Sequence, residues 1–446
     1  MTDFELAKQI ANKVSECGGI TYFVGGFVRD KLLGIDNKDI DIEVHCIQPF
    51  LLQSILSDFG EVVEQGKSFG IYRIKGYGLD ISLPRTERRV GNKHTSFEVD
   101  VDPFIGAYEA SKRRDFTINA LMQNVLTEDI VDFWNGVDDL NNKIIRHVDE
   151  ERFKEDALRV LRACRFAAKL RFTIHESTIN LCKGLNLSHL SSERVFGETS
   201  NALMNSGRPS IYFEQLRKMK QLDYWFPELE KCIDVPQNTK YHQEGDVWEH
   251  TMMVIDVATR FLDEVKHPLF FMYSALCHDF GKPLCTTVDD SGNFHSYGHE
   301  LKGIKPAKRF IHRLTNEKKL REYVTNMVEL HQRPNRAADA NSSIKSTNHM
   351  FDESICPEDL ITLSHCDNLG RIPYSYTNTH FLQDRLETYY EYMSRPFVQG
   401  RDLVEAGLKP GKNFTALLEY AHKMRLAGVS KENALRQTLA MSRKMK

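Results

Sequence analysis

The spacing of apolar residues changes period repeatedly along the first part of the chain. Phe4, Ala7, Ile10, Ala11 and Val14 recur at three- and four-residue intervals, which predicts a helix over about 4–17 that Gly18-Gly19 ends. The run Ile20, Tyr22, Phe23, Val24 predicts a strand that enters a turn at Gly25-Gly26, followed by a short amphipathic helix carrying Arg29 and Asp30. The period then drops to two, with Ile40, Ile42 and Val44 apolar, so a strand there would turn Asp39 and Asp41 to one face. A helix from about Pro49 to Ser57 and short segments at 61–64, 72–74 and 79–83 extend a small sheet, with Asp80 mid-strand where it can face the aspartate pair.

From Pro84 to Ala110 little periodicity is present, and Gly91-Asn92-Lys93-His94-Thr95 reads as a mobile loop. Asp129–Phe133 reads as a last strand and Gly136–Leu140 as the turn out of this region. From Arg152 onward the pattern is helical, beginning with one helix that carries Glu155–Phe166, and Pro227–Gln237 interrupts it. An apolar helix ends at Ser274-Ala275-Leu276-Cys277, and an amphipathic one covers Ala416–Met424. The expected fold class is α+β: a head with a small mixed β-sheet and helices over 1–146, then all-α segments over 147–230, 231–395 and 396–446.

Composition narrows this picture only slightly. The 446 residues exceed what one core comfortably serves, and 41% hydrophobic with 27% charged residues is the balance of a soluble globular protein. No apolar run approaches a membrane span, and the N-terminus has no signal-peptide pattern, so a cytoplasmic location is expected. Nine cysteines, odd in number and without a C-x-x-C pair, predict reduced thiols. A net charge of −3 does not announce a nucleic-acid binder, yet basic residues gather at Arg85, Arg88, Arg89, at Lys112-Arg113-Arg114 and from Arg152 to Arg171.

Candidate chemistry falls into two constellations. In the first, the glycine turn offers backbone N–H groups to an anion, and two adjacent carboxylates call for a divalent cation. Asp156 and Arg159, three residues apart, suit either an intrahelical ion pair or the Watson–Crick edge of a base, where a carboxylate accepts and a guanidinium donates. In the second, His250, the pair His278-Asp279, His299, His331 and Asp367 supply imidazole and carboxylate ligands suited to transition metals. A buried histidine by itself is more often a hydrogen-bonded core residue; the adjacent His-Asp at the end of an apolar helix sets this group apart.

Residues 25–34, Gly-Gly-Phe-Val-Arg-Asp-Lys-Leu-Leu-Gly, with Asp39-Ile40-Asp41 behind them, resemble the nucleotidyltransferase superfamily of CCA-adding enzymes and bacterial poly(A) polymerases. The segment Arg113–Ala120 is identical to that family's next motif, although Glu109-Ala110-Ser111 departs from the acidic-acidic-leucine that usually precedes it. Glu155-Asp156-x-x-Arg159 matches the motif that selects C and A, and the segment around Arg194 is similar to the body motif. The H…HD…D order of His250, His278-Asp279 and Asp367 resembles the HD phosphohydrolases. As a whole the chain resembles bacterial class II CCA-adding tRNA nucleotidyltransferases with a fused HD domain.

The resemblance implies template-independent addition of C, C and A to tRNA from CTP and ATP. Asp39, Asp41 and Asp80 would be catalytic, the first two holding Mg²⁺. Gly25, Gly26, Arg29, Asp30, Arg114, Asp115 and Asn119 would take phosphate and sugar, and Asp156, Arg159, Arg162 and Arg165 would lie about the base. It further implies a phosphohydrolase with Ni²⁺, Co²⁺ or Mn²⁺ on His250, His278, Asp279 and Asp367, a second ion on His299 and His331, and a monomer or homodimer. A poly(A) polymerase, an enzyme adding only the final A, and an HD hydrolase with a non-catalytic nucleotide-binding head remain as alternatives. The retained Arg85–Ala110 segment argues against addition of CC alone.

Overall fold

A computed structural model describes residues 1–65, 70–89 and 97–445. The expected loop at Gly91–Thr95 lies outside the described residues. The chain divides into two compact units, one of Met1–Ala202 with Ile211–Tyr224 and one of Leu203–Ser210 with Trp225–Lys446.

The first unit is built on a seven-stranded mixed sheet. Its strands are β1 (Ile20–Val24), β2 (Asp41–His45), β3 (Val62–Gln65), β4 (Ile71–Ile74) and β5 (Asp80–Ser82), with β8 (Met122–Asn124) and β9 (Ile130–Val131) after a separate hairpin, β6 (Arg85–Arg89) and β7 (Phe97–Val101). The order is β3-β4-β5-β2-β1-β8-β9, and only β2 and β5 run parallel. That single parallel pairing sets Asp41 beside Asp80 in register. Ile42 and Val44 are buried on one face of β2, and Phe23 pairs opposite Ile42 on β1. The helix Asp3–Glu16 buries Ala7, Ile10, Ala11 and Val14 as its spacing predicts, with Leu6 added to the stripe and Phe4 only partly buried. Its start is fixed by a capping box in which Thr2 accepts from the Glu5 N–H and Glu5 accepts from the Thr2 N–H.

Four sequence expectations change. First, β2 begins at Asp41 and leaves Asp39 in the preceding loop, because the Asn37 side chain accepts from the Asp39 N–H at 2.9 Å and turns the backbone locally. Second, the aperiodic stretch after Pro84 contains the hairpin β6–β7, whose pairing is a backbone property that side-chain alternation did not announce. Third, the helix expected through 155–166 is two helices, Glu150–Lys154 and Leu158–Leu170; Asp156 stands between them and accepts from the Leu158 N–H at 3.1 Å. Fourth, Gly136–Asn141 is a helix rather than a turn, since Asp132 accepts the otherwise unpartnered N–H groups of Gly136 and Val137.

Helices dominate the second unit, where Val247–Ala258, Pro268–Cys277, His299–Leu314, Lys318–Leu330 and Pro357–Leu369 pack around Phe271, Leu276, Phe310, Val324 and Leu360. Among the described residues its strands are two two-residue segments, Thr287–Val288 and Phe294–His295. A smaller apolar cluster near the C-terminus joins Val398, Leu403, Leu417, Ala421, Met424 and Ala434. The Phe280–Lys282 turn touches the start of the helix His299–Leu314 so closely that a Cβ on Gly281 would fall 1.9 Å from the His299 carbonyl oxygen. Backbone cannot yield there without moving a helix. Gly281→Ala should therefore destabilise this unit by about 3 kcal/mol or more. Urea unfolding checks this, and an unchanged midpoint would refute the packing described.

Candidate functional sites

In the first unit a cavity of about 810 Å³ gathers almost every residue of the first constellation. Gly25, Gly26, Arg29, Asp30, Asp39, Asp41, Arg114, Asp115, Asn119, Asp156, Arg159, Arg162 and Arg165 all line it. Asp80 does not. It sits in register beside Asp41, with Arg73 donating to both of its oxygens.

The cavity floor is where β1 turns. Gly25 has φ +68°, and a Cβ there would lie 3.1 Å from Arg114 Nη1 and 3.9 Å from Asp41 Oδ2, so glycine is required by both backbone and space. Burial raises the proton affinity of Asp41, and the nearby Asp80 and Asp39 charges raise it further against the pull of Arg114. Such a carboxylate gains most from a cation beside it, which is the condition a divalent metal site creates.

Above the floor a chain of polar groups is held by mutual contacts. Arg29 donates to Asp30 (2.7 Å) and to Asn119 Oδ1 (2.7 Å); Asn119 donates to Asp115 (3.0 Å); Arg162 donates to the other Asp115 oxygen (2.7 Å). Arg165 pairs with Glu198, and the guanidinium groups of Arg165, Arg29 and Arg162 lie 4.2, 5.1 and 5.6 Å from the Phe166 ring centre, whose negative faces attract them. The Asp156 and Arg159 side chains each have partners elsewhere. Arg194 donates to Asp156 at 2.7 Å, while Arg159 donates to the carbonyls of Arg152 and Arg113.

Near this first site, Glu43 is a residue that sequence reasoning missed. It is fully buried on β2, two residues beyond Asp41, and accepts from His45 Nε2 (3.0 Å) and Arg113 (2.8 Å), with Arg114 at 3.6 Å. Burial alone would raise its carboxyl, but the His45 hydrogen bond and the two guanidinium groups outweigh that and lower it to about 2. The signal was present in the sequence, because the two-residue period of Asp39 and Asp41 continues to Glu43.

The second constellation closes into one buried centre in the second unit. His250 Nε2 lies 2.9 Å from Asp367 Oδ1 and 3.3 Å from His278 Nε2; His299 Nε2 lies 3.3 Å from His331 Nε2. Asp279 stands between these pairs, with Oδ2 3.2 Å from His278 and 3.6 Å from His250, and Oδ1 3.3 Å from His299 and 4.0 Å from His331. Among the described residues neither Asp279 oxygen has a well-formed hydrogen bond, although both are buried.

Three of the four rings are oriented by carbonyls three residues earlier: His278 Nδ1 on Ala275, His299 Nδ1 on Ser296 and His331 Nδ1 on Val328, all at 2.7–2.8 Å. A carbonyl only accepts, so each Nδ1 carries the proton and each Nε2 presents a lone pair inward. His250 is oriented by Glu244, which also accepts from His242 and the Ile372 N–H. Burial, with His299 and His278 beside it, lowers His331 to about 3 and keeps it a neutral donor. Nitrogen-rich ligands around a carboxylate whose two oxygens face different imidazole pairs fit two transition-metal ions. Glu244, Lys282 and Gln332 were not singled out from the sequence; Lys282 Nζ lies 2.6 Å from Asp279 Oδ2.

Residues 21–146 match the Poly A polymerase head domain family, and 171–233 match the family described as the probable RNA and SrmB-binding site of polymerase A. The multifunctional CCA protein of Actinobacillus pleuropneumoniae serotype 5b (strain L20) is 32% identical over 419 residues, covering 92% of this chain and 98% of that one. The chain belongs to the multifunctional CCA protein family. Its relative from Pasteurella multocida (strain Pm70) is 38% identical over 326 residues, covering 71% of this chain and 74% of its own. The multifunctional CCA fold is shared with the Bacillus stearothermophilus CCA-adding enzyme solved with CTP (TM-score 0.70, 20% identity, 100% and 99% of the two chains). It is shared too with the Thermotoga maritima CCA-adding enzyme solved with tRNA (TM-score 0.61, 20% identity, 98% and 95%). The α+β class expected from the sequence is the class observed. Among the described residues no helix is long and apolar enough to cross a membrane.

Removing the Glu43 charge strands Arg113 and Arg114 beside a buried neutral group, so Glu43→Gln should destabilise the protein by about 3 kcal/mol. Its carboxyl is lowered from 4.5 to about 2 on folding, so its contribution is complete above pH 4.5 and is lost as pH falls through 2. Urea unfolding of wild type and variant should show the gap between them narrowing over that range. A gap independent of pH would rule the ionised pair out.

Proposed function

We propose that this protein adds C, C and A to the 3′ end of tRNA from CTP and ATP without a nucleic-acid template. The observation that carries this reading is the single cavity in which the Gly25-Gly26 turn, Asp39, Asp41, Asp156 and Arg159 meet. The multifunctional CCA relatives, and fold neighbours solved with ATP, CTP and tRNA, support the same substrates.

In this reading residues 1–146 form the catalytic head, 147–230 the part that selects the nucleotide and contacts tRNA, 231–395 a hydrolase domain and 396–446 a helical tail. Asp39 and Asp41 would hold Mg²⁺, which when bound would ease loss of the 3′-hydroxyl proton and offset the triphosphate charge. The tRNA 3′ oxygen forms a bond to the α-phosphorus, the bond from that phosphorus to the bridging oxygen breaks, and pyrophosphate leaves as the hydroxyl proton is lost. Gly25 and Gly26 let backbone N–H groups approach phosphate, and Arg114 adds positive charge beside Asp41. Arg29, Asp30, Asn119 and Asp115, fixed by one another, present donors and acceptors to the sugar. Asp156 and Arg159, steadied by Arg194 and by backbone carbonyls, present an acceptor and a donor to the base edge. Asp80 acts from the neighbouring strand through its charge on Asp41.

A second activity is favoured by the His/Asp centre, whose three inward Nε2 lone pairs, on His278, His299 and His331, and shared Asp279 have no role in nucleotidyl transfer. We infer hydrolysis of phosphate esters there, with 2′,3′-cyclic phosphates, 2′-nucleotides and phosphomonoesters as substrates. Ni²⁺, Co²⁺ or Mn²⁺ held by His250, His278, Asp279 and Asp367, and by His299 and His331, would lower the pKa of the attacking water.

Asp41→Ala should lower CMP and AMP incorporation into tRNA transcripts by about a thousandfold or more while leaving hydrolysis of 2′,3′-cyclic AMP intact, and His278→Ala should do the reverse. Retained incorporation by Asp41→Ala would overturn the first assignment, and full hydrolysis by His278→Ala the second. Transcripts lacking all of CCA, or only the final A, separate complete from A-only addition. Metal analysis after dialysis against Mn²⁺ should give two ions per centre, reduced to about one in His331→Ala.

A further inference from the structure

Beside the His/Asp centre lies a second cavity, of about 450 Å³, whose lining has no part in the reactions above. Arg333, Arg336, Lys345 and His349 line it together with the hydroxyl residues Ser342, Ser343 and Ser346, and among the described residues no carboxylate does. The helix Ile344–Glu353 starts at its wall, with Ser343 as the N-cap. Positive side chains, hydroxyl groups and a helix start form a lining suited to phosphate oxygens. Glu300 pairs with Arg336, and Glu353 with Arg333 and His349, so part of this charge is balanced; Lys345 pairs with no carboxylate among the described residues.

The cavity is joined to the metal-ligand cluster by one residue. Gln332 Nε2 lies 3.2 Å from His299 Nε2, and its Oε1 accepts from Arg336 at 2.5 Å. A phosphate near Arg336 is therefore two side chains from a ligand of the proposed hydrolytic centre. Outside the cavity lining, Tyr297, two residues before His299, is 78% exposed and its ring stacks on His295 with centroids 5.1 Å apart, so stacked rings stand at the helix end that carries His299. A free phosphate uses no ring, whereas a nucleobase stacks on one.

We propose that this cavity binds backbone phosphates of single-stranded RNA, so that the hydrolytic centre acts on the terminal phosphate of an RNA 3′ end in preference to a mononucleotide. The proposal rests on the hydrolase reading and adds its substrate class. The full-length protein, assayed with Mn²⁺, is compared on 2′,3′-cyclic AMP and on a pentaribonucleotide ending in a 2′,3′-cyclic phosphate. The pentamer should be preferred by about tenfold in kcat/KM, mainly through KM. Its log KM should rise with log salt at a slope near 1.4, about 0.7 for each of two phosphates. Lys345→Glu should bring the ratio of the two kcat/KM values close to one, and Lys345→Arg should restore it.

Equal kcat/KM for both substrates, or a ratio unmoved by Lys345→Glu, overturns the proposal and leaves the hydrolase reading standing. Inhibition by inorganic phosphate with no preference for the pentamer assigns the cavity to free phosphate and also overturns it. If neither substrate is hydrolysed the hydrolase reading fails, and binding then decides the cavity's role: a labelled pentamer carrying a 3′-phosphate must bind Lys345→Glu about tenfold more weakly than wild type. Equal affinity ends the RNA assignment.

Discussion

Burying carboxylates on a central strand constrains everything near β2. Asp41 and Glu43 project on the same side of that strand, and a desolvated carboxylate is tolerated only with cations or hydrogen-bond donors at hand. Glu43 is satisfied within the chain, by His45, Arg113 and Arg114. Asp41 is left with a weaker share of Arg114 and with two acidic neighbours. The strand thus fixes one acid permanently and keeps the next one ready for an ion. The residues that serve Glu43 also bring Arg114 within reach of the Gly25 turn, so a structural pairing places a cation beside that turn.

The second unit solves the same problem with nitrogen. Four of the candidate ligand residues stand at or next to helix ends, where Pro268–Cys277 and Lys318–Leu330 stop just before His278 and His331. Terminal carbonyls have no partner within the helix, and the imidazole Nδ1 groups use them. Packing of the apolar faces of these helices then brings the inward Nε2 atoms together. Gly281 belongs to the same design, since its missing side chain lets the turn after His278-Asp279 touch the start of the helix that carries His299.

Much of this was legible in the sequence, and the failures have physical causes. Apolar periodicity located the helix Asp3–Glu16 and strands β1 and β2, because burial of one face governs those elements. It was silent on β6–β7, where backbone pairing does the organising. Single polar side chains decided the remaining errors: Asn37 shortens β2 and Asp156 separates two helices, each by capturing a backbone N–H that the regular element would have used. Proximity of the lining residues came through motif order, which carries no information on partners. The sequence did not show that Asp156 faces Arg194, or that Arg159 holds the Arg113 carbonyl, since both contacts cross long stretches of chain.

The carbonyl-held imidazoles have one more consequence. Because His278, His299 and His331 each take their orientation from a backbone atom three residues away, their alignment is written into short local segments and persists without help from a bound ion. Ligand rings that already point inward lose little rotational freedom when an ion arrives. For the proposed ions such a centre would be preorganised: one could replace another while the surrounding helices stay where they are.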